Sequence, residues 1–373
     1  MLSQLCFSLI AAGIGLVPLL RAGPAAANAA PQISAPVVHE NIAVYFVRGA
    51  SAPGPVPATL QEALAKGVVE VFETGNVREL QIENKGEEPV FVQFGDLVKG
   101  GRQDRVLTVS LVLPPRSGRV PIGSYCVEQG RWAARGVEDA KKFSMSEMLM
   151  PSREAKVAMA KPAANPTSSS TGAMFTERQH GVADHQRVQR PSTGQRATEG
   201  GAANSQGEVW RSVGDVQMKL AARLAAPVTS EKSRTSLQLA LENDKLKEAV
   251  AAYVGVLEPA GLQAEDIVGV AIAINGRISS ADVYPSNGLF RKMWPKLVQA
   301  GVTEALATAS AEKGAAPAPA AVDAFLAEAE AGKQSVLDLG TYARLETRDA
   351  DKALRMEAKS ASGAFVHRNY LAK

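Results

Sequence analysis

Asn275-Gly276 stands between two short β-branched runs, Ile267–Ile274 and Ile278–Tyr284, and constrains the fold more than any other feature of the chain. Both central positions of a type I′ turn need positive φ, which Asn and Gly supply, so the runs are expected to close an antiparallel hairpin. A two-residue loop pairs Ile274 with Arg277, Ala273 with Ile278 and Gly269 with Asp282. Strand alternation then gives Val268, Val270, Ile272 and Ile274 one face, clearly core. The other face holds Gly269, Ala271 and Ala273, flat enough for a helix or a ligand to come close.

Helical periodicity surrounds this hairpin. Val209, Val213, Val216, Leu220 and Leu224 form one apolar stripe, and Leu239, Leu246, Val250, Tyr253 and Leu257 a second after Pro227. Ser286–Ala309 reads as helical, with Pro295 starting a new turn or kinking it. An Ala/Pro spacer leads to a short helix at Val322–Ala331. Val336–Leu339, Tyr342–Glu346, Leu354–Glu357 and Ala364–His367 look like closing strands.

The first half is β-rich. Ala43–Val47, Val68–Phe72, Leu80–Ile82, Pro89–Phe94, Val106–Leu113 and Val120–Val127 are short and separated by turn residues, which suggests a sandwich or an open barrel. One helix interrupts them, where Thr59-Leu60-Gln61-Glu62 has capping-box spacing and Gly67 follows. Pro151–Gly207 is different, rich in Ser, Thr, Gly and Pro with hardly any large apolar residue, and reads as a mobile linker. The expected class is α+β: an antiparallel β-sandwich-like domain at 36–137, a loose linker at 138–207, and a mixed helix/strand domain at 208–373 carrying the Asn-Gly hairpin. With aromatics at only 5% of 373 residues, its cores must rest on Val, Leu and Ile.

Leu5–Leu20 is an apolar run of about 16 residues, short of the roughly 20 that span a bilayer. Ala27-Asn28-Ala29 follows with small-x-small spacing, so residues 1–29 are expected to be a cleaved export signal. The mature protein would be periplasmic or secreted, with no membrane attachment. Cys6 leaves with the signal, and Cys126 alone forms no internal disulfide. The segment holds Arg21 and no acid, so its loss takes the formal charge from +3 to +2. That balance gives no reason to expect a nucleic-acid partner. No His/Cys set has metal-ligand spacing, and no cofactor motif is present; His180 and His185 read as solvated spectators. Cys126 reads as a small buried hydrophobe rather than a nucleophile.

The candidate site is a charged glycine turn expected between two strands, Gly95-Asp96-Leu97-Val98-Lys99-Gly100-Gly101-Arg102-Gln103-Asp104-Arg105, together with Cys126-Val127-Glu128-Gln129-Gly130-Arg131-Trp132. Gly95–Arg135 carries seven basic residues (Lys99, Arg102, Arg105, Arg116, Arg119, Arg131, Arg135) against three acids (Asp96, Asp104, Glu128). Consecutive glycines let backbone N–H groups converge on an anion, and the flanking Lys and Arg would hold it. No Lys-Ser/Thr follows, so this is not a nucleotide-hydrolase phosphate loop.

These two stretches resemble a bacterial family named for its association with ADP-ribosylglycohydrolases and rhodanese-type phosphatases. Gln206-Gly207-Glu208-Val209-Trp210, Ala273-Ile274-Asn275-Gly276, Phe290–Leu297 and Val366-His367 extend the resemblance over most of the chain from about residue 40. It implies a link to nucleotide or ADP-ribose metabolism and no particular reaction. Three readings remain open. In the first, the chain is a non-catalytic binding or interaction module. Lys99, Gly100, Gly101, Arg102, Gln103, Arg105, Glu128, Arg131, Trp132 and His367 would then receive an acidic small molecule or a partner protein. The second is an enzyme acting on a nucleotide or ADP-ribose-like substrate, with Arg102, Arg105 and Arg131 on the anion and Glu128 as general acid or base. The third makes the motif purely structural, with buried and satisfied Glu128–Arg131 and Asp104–Arg pairs.

Overall fold

A computed structural model describes residues 32–160, 193–310 and 314–373, with side chains from 205 onward in the second span. Residues 31–373 form one compact unit. The expected signal at 1–29 and the middle of the expected linker, 161–192, lie outside the described residues.

The chain opens with β1 (Gln32–Ile33), β2 (Val37–His39) and β3 (Ile42–Arg48), and then builds a barrel. After β4 (Ala58–Thr59) comes α1 (Leu60–Ala65), started by the expected capping box: Thr59 Oγ1 accepts from Glu62 N–H while Glu62 accepts from Thr59 N–H. Then follow β5 (Val69–Glu73), β6 (Glu79–Asn84), β7 (Val90–Val92), β8 (Asp96–Gly100), β9 (Arg105–Leu107), β10 (Leu111–Leu113), β11 (Gly118–Cys126) and β12 (Phe143–Leu149). Six of these pair in the order β12-β8-β9-β11-β6-β5, and a bridge from Phe72 to Lys142 brings the two edges together. Val69, Val71, Leu80, Ile82, Val98, Leu107, Val120, Ile122 and Phe143 belong to the core of this region, with Leu60 and Ala63 of α1. β10, β7 and β4 form a small separate sheet.

The remaining elements are α2 (Arg153–Ala160), α3 (Thr193–Leu224), α4 (Leu237–Leu241), α5 (Asp244–Leu257), β13 (Ile267–Ile274), β14 (Arg277–Val283), α6 (Asn287–Ala307), α7 (Pro319–Glu330), β15 (Lys333–Asp338), β16 (Ala343–Asp349), β17 (Ala353–Ser360) and β18 (Phe365–Ala372). The fold is α+β, as its alternating patterns predict. Strands β13 to β18 join β1, β2 and β3 in a nine-stranded sheet ordered β1-β3-β13-β14-β18-β17-β16-β15, with β2 on β3. Val270, Ile272 and Ile274 of β13 share a core with α3, α5 and α6. Ala271 and Ala273 meet Val322 and Ala329 of α7, so the flat face receives a helix.

Four expectations need correction. The hairpin turns at Asn275 and Gly276 with φ of 51° and 76°, but Gly269 pairs with Val283 rather than Asp282. Ser279 is the extra residue of a bulge, and its hydroxyl donates to Glu304 at 2.9 Å, a tie no local pattern announces. Within the expected linker, β12, α2 and the first part of α3 are regular structure. The first half of the glycine stretch is likewise a strand, β8, not a turn. Finally, 36–137 and 208–373 are not separable bodies, because β3 pairs with β13 from Ile42–Ile274 to Arg48–Ile267.

Candidate functional site

The glycine turn meets carboxylates, and they are the protein's own. Gly100 N–H donates to Asp104 Oδ1 at 2.9 Å, Arg102 N–H to Glu73 Oε2 at 3.2 Å and Asp104 N–H to Glu128 Oε2 at 3.1 Å. Gly101 N–H is taken by the Lys142 carbonyl at 2.8 Å. The glycines are needed for close approach as well as for their positive φ of 118° and 54°. A Cβ on Gly100 would lie 2.7 Å from Lys142 O, and one on Gly101 would lie 2.2 Å from the Phe143 ring. The turn is therefore shaped around the start of β12.

The motif's arginines complete a buried network. Arg131 reaches Glu128 Oε2 at 2.6 Å and Asp104 Oδ1 at 3.6 Å, and donates to the carbonyls of Gly101 and Gly100 at 3.0 and 3.2 Å. Arg135 spans Asp104 at 2.9 Å, Glu128 at 3.5 Å and Glu138 at 3.1 Å. Asp104 and Glu128 are fully buried, and Arg105 pairs with Glu73 at 3.4 Å, fully buried as well. Burial works to raise the Glu128 carboxyl, but hydrogen bonds from Arg131 and Ser233 outweigh it and hold the group below the usual carboxylate range. Burial also opposes charge on Arg135, and its bond to Asp104 prevails, raising the guanidinium further. Among the described residues the Nε atoms of Arg105 and Arg131 have no hydrogen-bond partner.

Gln103 and Cys126 belong to the same interior. Gln103 Nε2 donates to the Glu128 carbonyl at 2.8 Å, and its Oε1 accepts from Cys126 Sγ at 2.9 Å. Burial pushes the Cys126 thiol up to about 11, which leaves it protonated and inert near neutrality. Lys99 pairs with Glu242 at 2.7 Å. Arg102, Gln129, Gly130 and Trp132 remain at the surface. Trp132 is 41% exposed, and the guanidinium carbon of Arg102 lies 5.3 Å from its ring, with that of Arg105 at 5.6 Å.

His367 does not join this group. It is buried elsewhere, between Ser110 Oγ at 3.0 Å from Nδ1 and Asp282 Oδ1 at 3.1 Å from Nε2, with Asn369 bracing Asp282 at 2.9 Å. Ser110 Oγ also accepts from Phe94 N–H at 2.9 Å, which holds the hydroxyl beside the imidazole. The adjoining cavity, bounded by Thr108, Met356 and Asn369 among others, measures about 10 Å³, room for one water.

Sequence reasoning counted Arg135 only as part of the basic charge and missed Ser236 and Glu73, which have no motif spacing to the rest. Ser236 both caps α4, accepting from Leu239 N–H at 3.0 Å, and donates to Asp104 at 2.7 Å, so the network ties the barrel to the helical layer. A larger open cleft of about 730 Å³ lies between α2, α3 and the ends of β16 to β18. Among the described residues no cluster of three or more His, Cys, Asp and Glu is placed to hold a metal, and no helix is long and apolar enough to cross a membrane.

A profile described as the ARG and Rhodanese-Phosphatase-superfamily-associated Protein domain, ARPP-1, matches residues 30–371. The chain belongs to this family. The ARPP-1 name states an association with two groups of enzymes and assigns no activity of its own. No curated protein and no solved structure matches the chain. The other ARPP-1-like stretches are also interior ties. Gln206 reads the backbone of Cys126 from both sides, at 2.9 Å each way. Trp294 Nε1 donates to the Glu258 carbonyl at 2.8 Å, and Lys296 forms a buried pair with Asp96 at 2.6 Å.

Proposed function

We propose that the protein is an exported binding or interaction module. The glycine turn and the Cys-Glu-Gln-Gly-Arg-Trp segment act as an internal fastener, and the surface above them, centred on Trp132 and Arg102, receives the partner. One observation carries this reading. Lys99, Arg105, Arg131 and Arg135 all meet carboxylates of the protein itself, whereas the Arg102 guanidinium meets none among the described residues and lies against an exposed indole. Trp and Arg are the side chains that most often anchor protein interfaces. The Trp132 loop is already held, by Arg131 donating to the Ala133 carbonyl at 2.6 Å and by Arg105 against the ring, so binding costs little ordering entropy. Lys141 and Lys142 are exposed next to β12, and Lys142 bonds to the glycine turn through its carbonyl; both add positive charge, so the partner is acidic. Glu128 is assigned to the fastener rather than to proton transfer. Export rests on Leu5–Leu20 and Ala27-Asn28-Ala29.

The test is thermal-shift titration of the protein recovered from cells with inorganic phosphate, citrate and poly-L-glutamate, after its N-terminus has been read by mass spectrometry. An N-terminus near Ala30 and stabilisation by at least one acidic probe are expected. Arg102→Ala and Trp132→Ala should abolish that stabilisation with the unliganded Tm nearly unchanged, since an exposed Arg is worth less than about 1 kcal/mol to folding. Glu128→Gln should instead lower the unliganded Tm by many degrees, because breaking a buried pair costs about 3–5 kcal/mol. If no acidic probe stabilises the protein, or if both surface variants respond as the parent does, the surface reading fails. A chain that retains residues 1–29 removes export by cleavage.

A further inference from the structure

β15 ends the nine-stranded sheet, and its outer side is open. One side is fully paired with β16, from Lys333–Asp349 to Asp338–Arg344. On the other, no described residue hydrogen-bonds to its backbone, and Lys333, Gln334, Ser335, Val336 and Asp338 are all exposed. A free edge presents a row of N–H and C=O groups that template another strand, and proteins usually blunt it with charge, proline or brevity. The opposite edge is blunted by brevity, since β1 has two residues. β15 has six, and its centre, Gln334-Ser335-Val336-Leu337, carries neither charge nor proline.

We propose that β15 pairs antiparallel with β15 of a second copy of this chain across a two-fold axis. Such an axis stands perpendicular to the sheet and keeps the same face of both copies upward, so paired residues must share the parity of their positions. Two registers centre on the strand. An axis at Ser335 sets Lys333 against Leu337 and Val336 against Gln334, and leaves Asp338 beyond the pairing. An axis at Val336 sets this exposed valine against itself and brings Gln334 opposite Asp338 twice. The amide N–H groups of each Gln334 then face the carboxylate of the partner copy, and β-branched side chains meet at the centre. The second register also sets Ser335 against Leu337, but it alone joins Gln334 to Asp338 and valine to valine. This strand pair alone buries less than the roughly 1,200 Å² of a standard interface, so the dimer is of the weak, transient kind and is sought at protein concentrations of about 10–500 µM.

Sedimentation velocity across that range, with cysteine cross-linking, tests the proposal. The protein should pass from monomer to dimer with concentration. Val336→Lys, which sets two like charges on the axis at an exposed position, should hold it as monomer with its Tm unchanged, and Val336→Thr should keep the dimer. Val336→Cys should form an intermolecular disulfide on mild oxidation. Gln334→Cys should not, because that register separates its two copies by about 13 Å along the strand. A monomer at every concentration, a Val336→Lys dimer as strong as the parent's, or equal cross-linking through Gln334→Cys overturns the pairing.

Discussion

Among the described residues, the side chain of Glu304, near the end of α6, has one hydrogen-bond partner, the Ser279 hydroxyl at 2.9 Å, and is buried. Burial pushes its carboxyl up to about 7, against the nearby Lys156 ammonium and the Ser279 hydroxyl, which favour the charged form. Since the folded value lies above the unfolded one, the native protein keeps a proton that the unfolded chain releases. Stability should therefore fall as pH rises from about 4.5 to about 7 and stay level above that window, by an amount on the order of 1–3 kcal/mol. Glu304→Gln should remove this slope and leave a protein more stable than the parent at pH 8. Urea denaturation from pH 4.5 to 8 measures it, and a variant with the parent's slope would place the titration elsewhere. Asp282 behaves in the opposite sense: burial works to raise it, but the bond from His367 prevails and holds it low.

At the scale of elements, the glycine turn is a junction of β8 and β12. Gly101→Ala would force a Cβ into the Phe143 ring at a φ of 54°, where L-residues already lose about 1–2 kcal/mol. We expect a fall in Tm of several degrees with the far-UV spectrum retained, and an unchanged Tm would mean that β12 can shift aside. This junction also shows what the sequence does and does not disclose. The Asn-Gly hairpin and the capping box of α1 are legible because their causes lie within four residues. β8 reads as part of a charged turn in the sequence, because Lys296, which balances its Asp96, arrives from another element. β12 carries Ser144, Ser146 and Glu147 among its apolar residues, and only pairing with β8 makes it a strand. The site followed the same rule. Its residues were identifiable by type and spacing, and the Glu128–Arg131 pair lies within three positions, but the ties of Asp104 to Arg135 and Ser236 are long-range, and His367 belongs to another cluster.

The whole molecule is closed by its first long strand. β3 lies between β1 and β13, and Asn41 bonds to Asn275, 234 positions away. A fragment spanning 208–373 should therefore lack a central strand and expose β13. It is expected to show little amide-exchange protection alone and to regain it when residues 31–207 are supplied in trans. Full protection of the lone fragment would restore the two-domain division. The pairing also orders events in time. Loop closure over such a span is slow, so fast folding through local contacts is not open to this sheet. Ile42–Arg48 leaves the ribosome early and then waits for Ile267–Ile274, and the sheet still lacks Phe365–Ala372 until synthesis is all but over. While the nascent chain waits, the Ile267–Ile274 side of Ile42–Arg48 has no partner and stays open to wrong ones.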